Sequence, residues 1–270
     1  MEIGPRIPGS PELALTRDYI IRSLKTSGLL VKTDEFSATT PFGEKNMVNV
    51  TAEVPGESND VIMIASHYDS KFYKDMLFVG ANDPGTSVAT LLELGRVLGA
   101  GQQKPKLTYW LVFFDGEESF CEGWDECGKP NAPDNTYGSR RFVSQLRAAN
   151  ELGRVRSLIL LDMMGYKNLE LGRDTMSTRW LQDIIWRAGR ELGQGKVFVD
   201  RPEGVGGDDH EPFLRAGIDS VDIIQLNGYP YWHKADDTLD KVSAQSLKIV
   251  GDVVLTSLPR IELYVQDKRP

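Results

Sequence analysis

Three carboxylates follow the most hydrophobic strand predicted in the chain. The segment "FFDGEES", residues 113–119, places Asp115, Glu117 and Glu118 directly after the apolar run "LTYWLVFF". Because a strand buried in a sheet ends where solvent or a cleft begins, we expect these side chains at the mouth of a cleft. Like charges this close raise one another's pKa unless a cation or a shared proton relieves them. The segment is therefore a candidate metal or acid–base site, with a solvated acidic turn as the alternative.

Further potential metal ligands follow other predicted strands or lie in the loop "GANDPGTS". They are His67, Asp69, Asp83, Asp162 and His233. One imidazole and two carboxylates from separate segments are a common catalytic zinc set that leaves one coordination position open. Asp69 follows His67 by two residues and could orient its second ring nitrogen. His210 in "GGDDHEPF" is predicted as a helix-start or network residue.

The elements that must position these residues alternate between buried strands and helices. Strands are predicted at 29–38, 46–54, 60–69, 107–116, 156–165 and 220–226, and helices at 10–28, 85–100, 137–150, 177–193 and 243–258. This pattern predicts an α/β fold, a single three-layer α/β/α domain over residues 1–270 with a mixed, largely parallel central sheet. Ligands of such sheets bind beyond the carboxyl ends of the strands, which would bring the candidate residues together.

Composition excludes several classes of function. The 270 residues carry a net charge of -8, so neither nucleic acid nor an anionic membrane surface is an expected partner. No apolar run approaches the roughly 20 residues of a spanning helix, and the chain begins without a signal peptide. Cys121 and Cys127 are compatible with a loop-closing disulfide and equally with two free thiols. We expect a monomer.

Several motifs in the predicted order resemble one enzyme family. They are "SHYDS", "GANDPGTSVATLLELGR", "FFDGEE", "YGSRRF", "LDMMG", "DDHEPFLRAGI" and "HKADDTLDKV", within about residues 60–245. Together they resemble the zinc exopeptidases of the co-catalytic aminopeptidase type, which implies a zinc-exopeptidase-like fold. By this resemblance, a two-zinc member would use Asp83 as the bridging carboxylate, His67 and Asp162 at one metal, and Glu118 and His233 at the other. Glu117 would be the general base.

Other features resemble a branch of relatives, the glutaminyl cyclases of animal type. These features are the long loop 119–137 with Trp124, Asp208 in "GGDDH", Trp232 before His233, and "PRIPGSPE" near the start. The resemblance implies a zinc-dependent glutaminyl-peptide cyclotransferase, which converts the N-terminal glutamine of peptides to pyroglutamate and releases ammonia. One zinc would then suffice, bound by Asp83, Glu118 and His233. Glu117 would move the proton, supported by Asp162 and Asp208, and Trp124 and Trp232 would wall the substrate pocket.

The alternative is a zinc aminopeptidase with two zinc ions. "GANDPGTS" and "HKADDTLDKV" are closer to the aminopeptidases than to the cyclases. A non-catalytic binding module is disfavoured because every expected ligand and the base Glu117 are present. In either enzyme the substrates are peptides held by their N-terminus, and a secreted or periplasmic location is the favoured expectation.

Overall fold

The computed structural model describes residues 3–124 and 126–267. Its strands are β1 (Leu30–Thr40), β2 (Gly43–Val54), β3 (Ser58–His67), β4 (Leu107–Phe114), β5 (Val155–Asp162), β6 (Leu171–Asp174), β7 (Phe198–Glu203) and β8 (Ser220–Ile224). Its helices are α1 (Pro11–Thr26), α2 (Gly85–Gly99), α3 (Tyr137–Ala148), α4 (Arg179–Glu191), α5 (Glu211–Arg215) and α6 (Ala244–Asp267).

Six strands form the central sheet in the order β1-β2-β4-β3-β5-β8. The β1–β2 and β2–β4 pairs are antiparallel, while β4, β3, β5 and β8 run parallel to one another. The predicted α/β fold with a mixed, largely parallel sheet is thus confirmed. The predicted helix start at Ser10 is also present, because the Ser10 hydroxyl accepts a hydrogen bond from the backbone N–H of Leu13 at 3.1 Å.

Helices cover both faces of the sheet, and β3 shows how the sequence achieves this. Ile62 and Ile64 pack into a core that includes residues of α1, α2, α4 and α6. Val61 and Met63 pack on the opposite face with residues of α3 and α5. Since successive side chains of a strand point to opposite faces, a strand apolar at every position is buried between two helical layers.

Two features of the fold differ from the sequence prediction. The parallel pair β6–β7 was not predicted, because "LGRD" and "FVDRPE" carry charges where a buried strand would show a continuous apolar run. Helix α6 was expected to end at residue 258, before Pro259, but it continues to residue 267. A proline inside a helix costs about 3 kcal/mol. Burial of Ile261 and Val265 in the same core offsets this cost, at about 1.5–3 kcal/mol for each side chain.

The carboxyl ends of the four parallel strands meet at one edge of the sheet. His67 is paired with Phe114, and Asp162 is paired with Ile224, at the last registered positions of their strands. The segments that follow these residues therefore converge above the same edge. Within residues 3–124 and 126–267, no helix is both long enough and apolar enough to cross a membrane.

Candidate metal centre and active site

Asp69 links the ends of β3 and β4. Its buried carboxylate accepts hydrogen bonds from the backbone N–H groups of Glu117 at 3.1 Å and Glu118 at 3.2 Å. The same carboxylate lies 3.4 Å from Nδ1 of His67. Asp69 thus fixes the turn that carries the glutamate pair and faces Nδ1 of His67, while Nε2 of His67 faces Asp83 and Asp162.

Asp83, Glu118 and His233 converge on one point, as the sequence predicts. Nε2 of His233 lies 3.5 Å from Oδ2 of Asp83 and 3.3 Å from Oε2 of Glu118. Both carboxylate oxygens of Glu118 are buried without a hydrogen-bond partner, although the Lys71 ammonium lies 3.9 Å away. Buried carboxylate oxygens are rarely left without a partner. Two carboxylates and one imidazole are a common ligand set for zinc. A zinc ion bound here would also give the buried oxygens of Glu118 a partner.

A second group, formed by His67, Asp83 and Asp162, lies beside the first. Nε2 of His67 is 3.3 Å from Oδ1 of Asp83 and 3.3 Å from Oδ1 of Asp162. The two oxygens of Asp83 therefore face the two groups. His67 Nε2 already has a hydrogen-bond partner in Asp162, in contrast to the unpaired oxygens of Glu118.

The loop that carries Asp83 is held by two side chains. The carboxylate of Asp237 accepts the backbone N–H groups of Asn82 at 2.9 Å and Asp83 at 3.1 Å. The amide side chain of Asn82 donates to the Met163 carbonyl at 3.2 Å and accepts from the Gly165 N–H at 2.9 Å. The Asp83 loop is thereby joined to the segment after β5. Sequence analysis did not assign a role to Asp237, although it lies in the quoted motif "HKADDTLDKV".

Arg6 places a half-buried cation beneath the same loop. Its guanidinium donates hydrogen bonds to the carbonyls of Tyr68 at 3.2 Å, Val79 at 2.7 Å and Gly80 at 3.0 Å. Burial lowers the pKa of Arg6 and the surrounding carboxylates, Asp83 foremost, raise it. Guanidinium groups stay protonated in proteins. Because its hydrogen-bond partners are neutral carbonyls, its charge remains available to offset the acidic site. Sequence analysis did not assign a role to Arg6, although it lies in the quoted motif "PRIPGSPE".

Two residues of the site have unusual backbone conformations. His233 has φ 54° and Met163, directly after Asp162, has φ 42°. Non-glycine residues in the left-handed region are uncommon, and such conformations concentrate at functional sites. The Trp232 indole stacks on the His233 ring with 4.3 Å between centroids, which holds the imidazole against Asp83 and Glu118.

Glu117 has the properties of a proton carrier. Its carboxyl is buried, and Oε2 lies 3.8 Å from Nδ1 of His67. Burial and the charges of Asp208 and Glu118 raise the pKa of Glu117 well above its usual value, against the lowering effect of His67. Burial also raises the pKa of Asp162 to about 7. A carboxyl whose pKa is shifted toward neutrality can both accept and return a proton near neutral pH.

Asp208 belongs to a buried network that sequence analysis saw only in part. Its carboxyl lies beside Asp222 on β8 and the ring of His210, with polar atoms of the three side chains within 4.8 Å of one another. Burial raises the pKa of Asp208, and burial and the charge of Asp208 raise the pKa of Asp222 well above its usual value. His210 begins α5, with Nε2 3.3 Å from Asp174 and Nδ1 3.9 Å from Asp222. The sequence analysis expected Asp162 and Glu117 as the hydrogen-bond partners of Asp208. Asp222 was missed because "SVDIIQL" has the pattern of a core strand.

One cavity of about 370 Å³ opens above these groups. It is lined by residues that include Asp83, Glu117, Glu118, Trp124, Asp162, Asp208, Trp232 and His233. The structure thus brings these predicted site residues around one cavity. His67 is fully buried and does not line the cavity, although it contacts Asp83 and Asp162 from below.

Comparison with known proteins assigns the family. The family model described as peptidase family M28 matches residues 49–258. The chain belongs to peptidase family M28. It is 31% identical to the glutaminyl-peptide cyclotransferase of Bos taurus, over 94% of this chain and 78% of that protein.

The solved structures that resemble this chain include both a glutaminyl cyclase and a zinc exopeptidase. A glutaminyl cyclase from an Acidobacteriales bacterium has a TM-score of 0.89 and 35% identity, covering 97% of this chain and 90% of that one. A Zn-dependent exopeptidase from Parabacteroides distasonis has a TM-score of 0.84 and 26% identity, covering 93% and 91% of the two chains. The resemblance to zinc exopeptidases and glutaminyl cyclases is therefore confirmed, and the M28 chain is an enzyme.

Removal of the Arg6 guanidinium should weaken metal binding by the M28 chain. We expect Arg6→Ala to lower zinc affinity about 10–100-fold, the range typical for groups that orient metal ligands. Arg6→Lys should recover part of the loss because it keeps the charge but not the three-carbonyl geometry. Zinc affinity is measured by competition with a chromogenic chelator. Arg22→Ala, an exposed position on α1, is the matched control. Equal affinity in Arg6→Ala and Arg22→Ala would show that Arg6 has no such role.

The two cysteines, left open by the sequence, form a disulfide. Cys121 and Cys127 are bonded to each other and enclose Trp124 in a short loop. The Asn135 side chain donates to the Trp124 carbonyl at 3.0 Å, and Lys71 Nζ donates to the Cys121 carbonyl at 3.1 Å. The disulfide and these hydrogen bonds together position the indole at the cavity wall.

Opening this loop should impair substrate binding more than metal binding. We expect the double variant Cys121→Ser/Cys127→Ser to raise KM several-fold at unchanged zinc content, because Trp124 then loses part of its positional restraint. Steady-state kinetics and metal analysis on the same sample test this expectation. Treatment of the unaltered chain with a thiol reductant should raise KM to the value of the double variant. An unchanged KM in both samples would mean that the disulfide does not position Trp124.

Proposed function

We propose that the chain is a glutaminyl-peptide cyclotransferase that uses one zinc ion at Asp83, Glu118 and His233. One observation carries this proposal. A small cavity contains the zinc-binding group, the proton carrier Glu117 and two tryptophans, in a chain similar to named glutaminyl cyclases over most of its length. In this proposal, residues 1–270 form a single zinc-dependent catalytic domain.

The difference between the two groups supports a single zinc ion. The carboxylate oxygens of Glu118 are buried without a hydrogen-bond partner, so this group is incomplete without a cation. His67, by contrast, lies in hydrogen-bond contact with Asp162. Protonated His67 would form a closed cluster with the carboxylates around it. The charge of Glu117 and the contacts with Asp162 and Asp69 raise the pKa of His67 well above its usual value, although burial lowers it.

The proposed reaction joins two groups of the same residue. The α-amine of the N-terminal glutamine attacks the carbon of its own γ-carboxamide, a carbon–nitrogen bond forms, and the bond to the side-chain nitrogen breaks. Zinc, when bound, would supply Lewis-acid polarisation of that carbonyl. Glu117 takes the proton released by the amine and delivers it to the departing nitrogen, which leaves as ammonia.

The other residues of the cavity orient the substrate and the proton carrier. Burial and the charge of Asp208 both raise the pKa of Glu117, which favours its role as proton carrier. Trp124 and Trp232 restrict the side chain to conformations in which amine and carboxamide lie close together. Orientation of this kind supplies a large part of the rate in ring-forming reactions.

A zinc aminopeptidase is the second candidate, because the group His67, Asp83 and Asp162 has the composition of a second metal site. With both groups occupied, Asp83 would contribute to both sites, and the metal ions would supply activated water for hydrolysis. Cyclisation needs no water, since the substrate's own amine is the nucleophile.

A pair of assays tests the proposal. Ammonia release from a glutaminyl dipeptide amide is compared with amine release from an aminoacyl chromogenic substrate, with zinc quantified on the same sample. The proposal requires ammonia release with about one zinc per chain. Chromophore release with two zinc ions per chain, and no ammonia, would establish the aminopeptidase instead.

We also propose that the chain functions in an oxidising compartment, secreted or periplasmic. The Cys121–Cys127 disulfide supports this proposal, because such bonds persist mainly in those environments.

A further inference from the structure

A second groove of about 560 Å³ lies on the other side of Trp124. It is formed by the loop that follows Trp124 and by the exposed faces of α3 and α5. Trp124, Glu211 and Arg215 line both this groove and the reaction cavity. The two depressions are therefore adjacent, and a chain that leaves the reaction cavity past Trp124 enters the groove.

The groove has a charge opposite to that of the cavity. Its charged lining residues are Lys129, Arg140, Arg147, Glu211 and Arg215. Among the described residues, the acidic member of this lining is Glu211, which forms an ion pair with Arg215 at 2.6 Å. The charged residues that line the reaction cavity are, in contrast, mainly carboxylates, and the whole chain carries a net charge of -8. The groove is thus locally basic, although the adjacent cavity and the whole chain are acidic.

Two cations of the groove are exposed and form no ion pair within the part of the chain that the structure describes. They are Lys129 and Arg147. A third cation, Arg140, donates through Nε and Nη2 to the backbone carbonyls of Asn135 and Pro133. These contacts hold the Arg140 guanidinium at the groove wall, where the charges of Asp209 and Asp134 also act on it. Lys129 and Arg147 are therefore the cations most available to a ligand.

We propose that this groove binds the second to fourth residues of the peptide substrate and selects acidic side chains at those positions. This inference rests on the proposed function, which places the N-terminal glutamine in the adjacent cavity. An extended peptide advances about 3.3–3.6 Å per residue, so the residues after glutamine pass Trp124 and reach the groove. The N-terminal glutamine then lies in the acidic cavity, and the basic groove attracts the downstream carboxylates of the peptide.

The groove should affect substrate binding and not the rate of the chemical step. The cations lie away from the reacting atoms, so they stabilise the bound substrate and the transition state equally and change KM with little effect on kcat. Exposed charges are screened by water and salt, so each contact contributes modestly. We expect about a three- to tenfold lower KM for acidic than for basic peptides at low ionic strength, with a smaller difference at high salt.

The test uses three peptides that differ only in charge. Each has an N-terminal glutamine and a C-terminal amide, and carries three glutamates, three alanines or three lysines between them. The expected order of KM is glutamate, alanine, lysine, from lowest to highest. This order is opposite to the one that the net charge of the chain would impose. Equal KM values, or the lowest KM for lysine, would overturn the inference.

A double variant locates the effect. Lys129→Ala/Arg147→Ala should reduce the KM ratio between the lysine and glutamate peptides at least threefold. Lys104→Ala/Lys196→Ala removes the same charge at exposed positions outside both depressions and should keep the ratio. An equal reduction in the two variants would attribute the preference to net charge and refute a groove site.

Failure of the proposed function gives a different result from failure of the groove. If no peptide is cyclised, the proposed function is wrong, and calorimetric titration with the same peptides still decides the groove. Tighter binding of the glutamate peptide, weakened by Lys129→Ala/Arg147→Ala, would support the groove in that case. Cyclisation of all three peptides with equal KM would leave the proposed function intact and refute the groove.

Discussion

Glu117→Gln is expected to lower the rate of glutamine cyclisation by about 10²–10⁴-fold, the usual contribution of a general acid–base group. The amide keeps the size of the side chain but cannot take the proton from the substrate amine. Zinc should remain bound, because Glu117 is not a member of the group Asp83, Glu118 and His233. The measurement is kcat for ammonia release together with zinc content per chain.

The matched control for this variant is Glu122→Gln. Glu122 is exposed in the same loop and does not line the reaction cavity, so its substitution should leave the rate unchanged. Loss of zinc in Glu117→Gln would show that Glu117 is a ligand and that the roles of the two adjacent glutamates are misassigned. A rate near that of the unaltered chain would exclude Glu117 as the proton carrier.

His233→Ala is expected to remove both zinc and activity. The substitution deletes the only imidazole of its group and leaves two carboxylates, Asp83 and Glu118, which alone bind zinc weakly. The variant should hold little zinc after gel filtration, and addition of zinc should no longer raise its melting temperature, since a ligand stabilises only a fold that binds it. Metal analysis and a thermal melt with and without zinc measure the two effects.

The zinc content of His67→Ala, compared with that of His233→Ala, distinguishes one metal site from two. With one zinc at Asp83, Glu118 and His233, His67→Ala should retain about one ion per chain. A two-zinc site would instead lose one of two ions. Retention of zinc by His233→Ala together with its loss from His67→Ala would place the metal in the group with Asp162 and contradict the proposed site.

The sequence was sufficient to predict the fold and the convergence of the site because both depend on local patterns. The buried strands are apolar at most positions on both faces, and each of the parallel strands is followed by polar residues at the same edge of the sheet. His67 and Asp162 are the last residues of their strands. The order of strands and helices therefore predicted which side chains meet.

The supporting residues could not be predicted in the same way. Arg6 is distant in sequence from the loop that it holds, and its burial follows only from the path of the chain before α1. Asp222 is a charged residue inside a core strand, and only the neighbouring strands and α5 show that it faces Asp208. The Cys121–Cys127 pairing depends on loop geometry, which two cysteines six residues apart do not specify.

The mass of the product from a peptide with N-terminal glutamine tests the central claim most directly. Incubation with the zinc-loaded chain should convert the peptide to a product of the same length that has lost one ammonia. The control is the same peptide with N-terminal asparagine, whose shorter side chain would have to close a smaller ring and should remain unchanged. A product that has lost its whole N-terminal residue would contradict the account and identify an aminopeptidase.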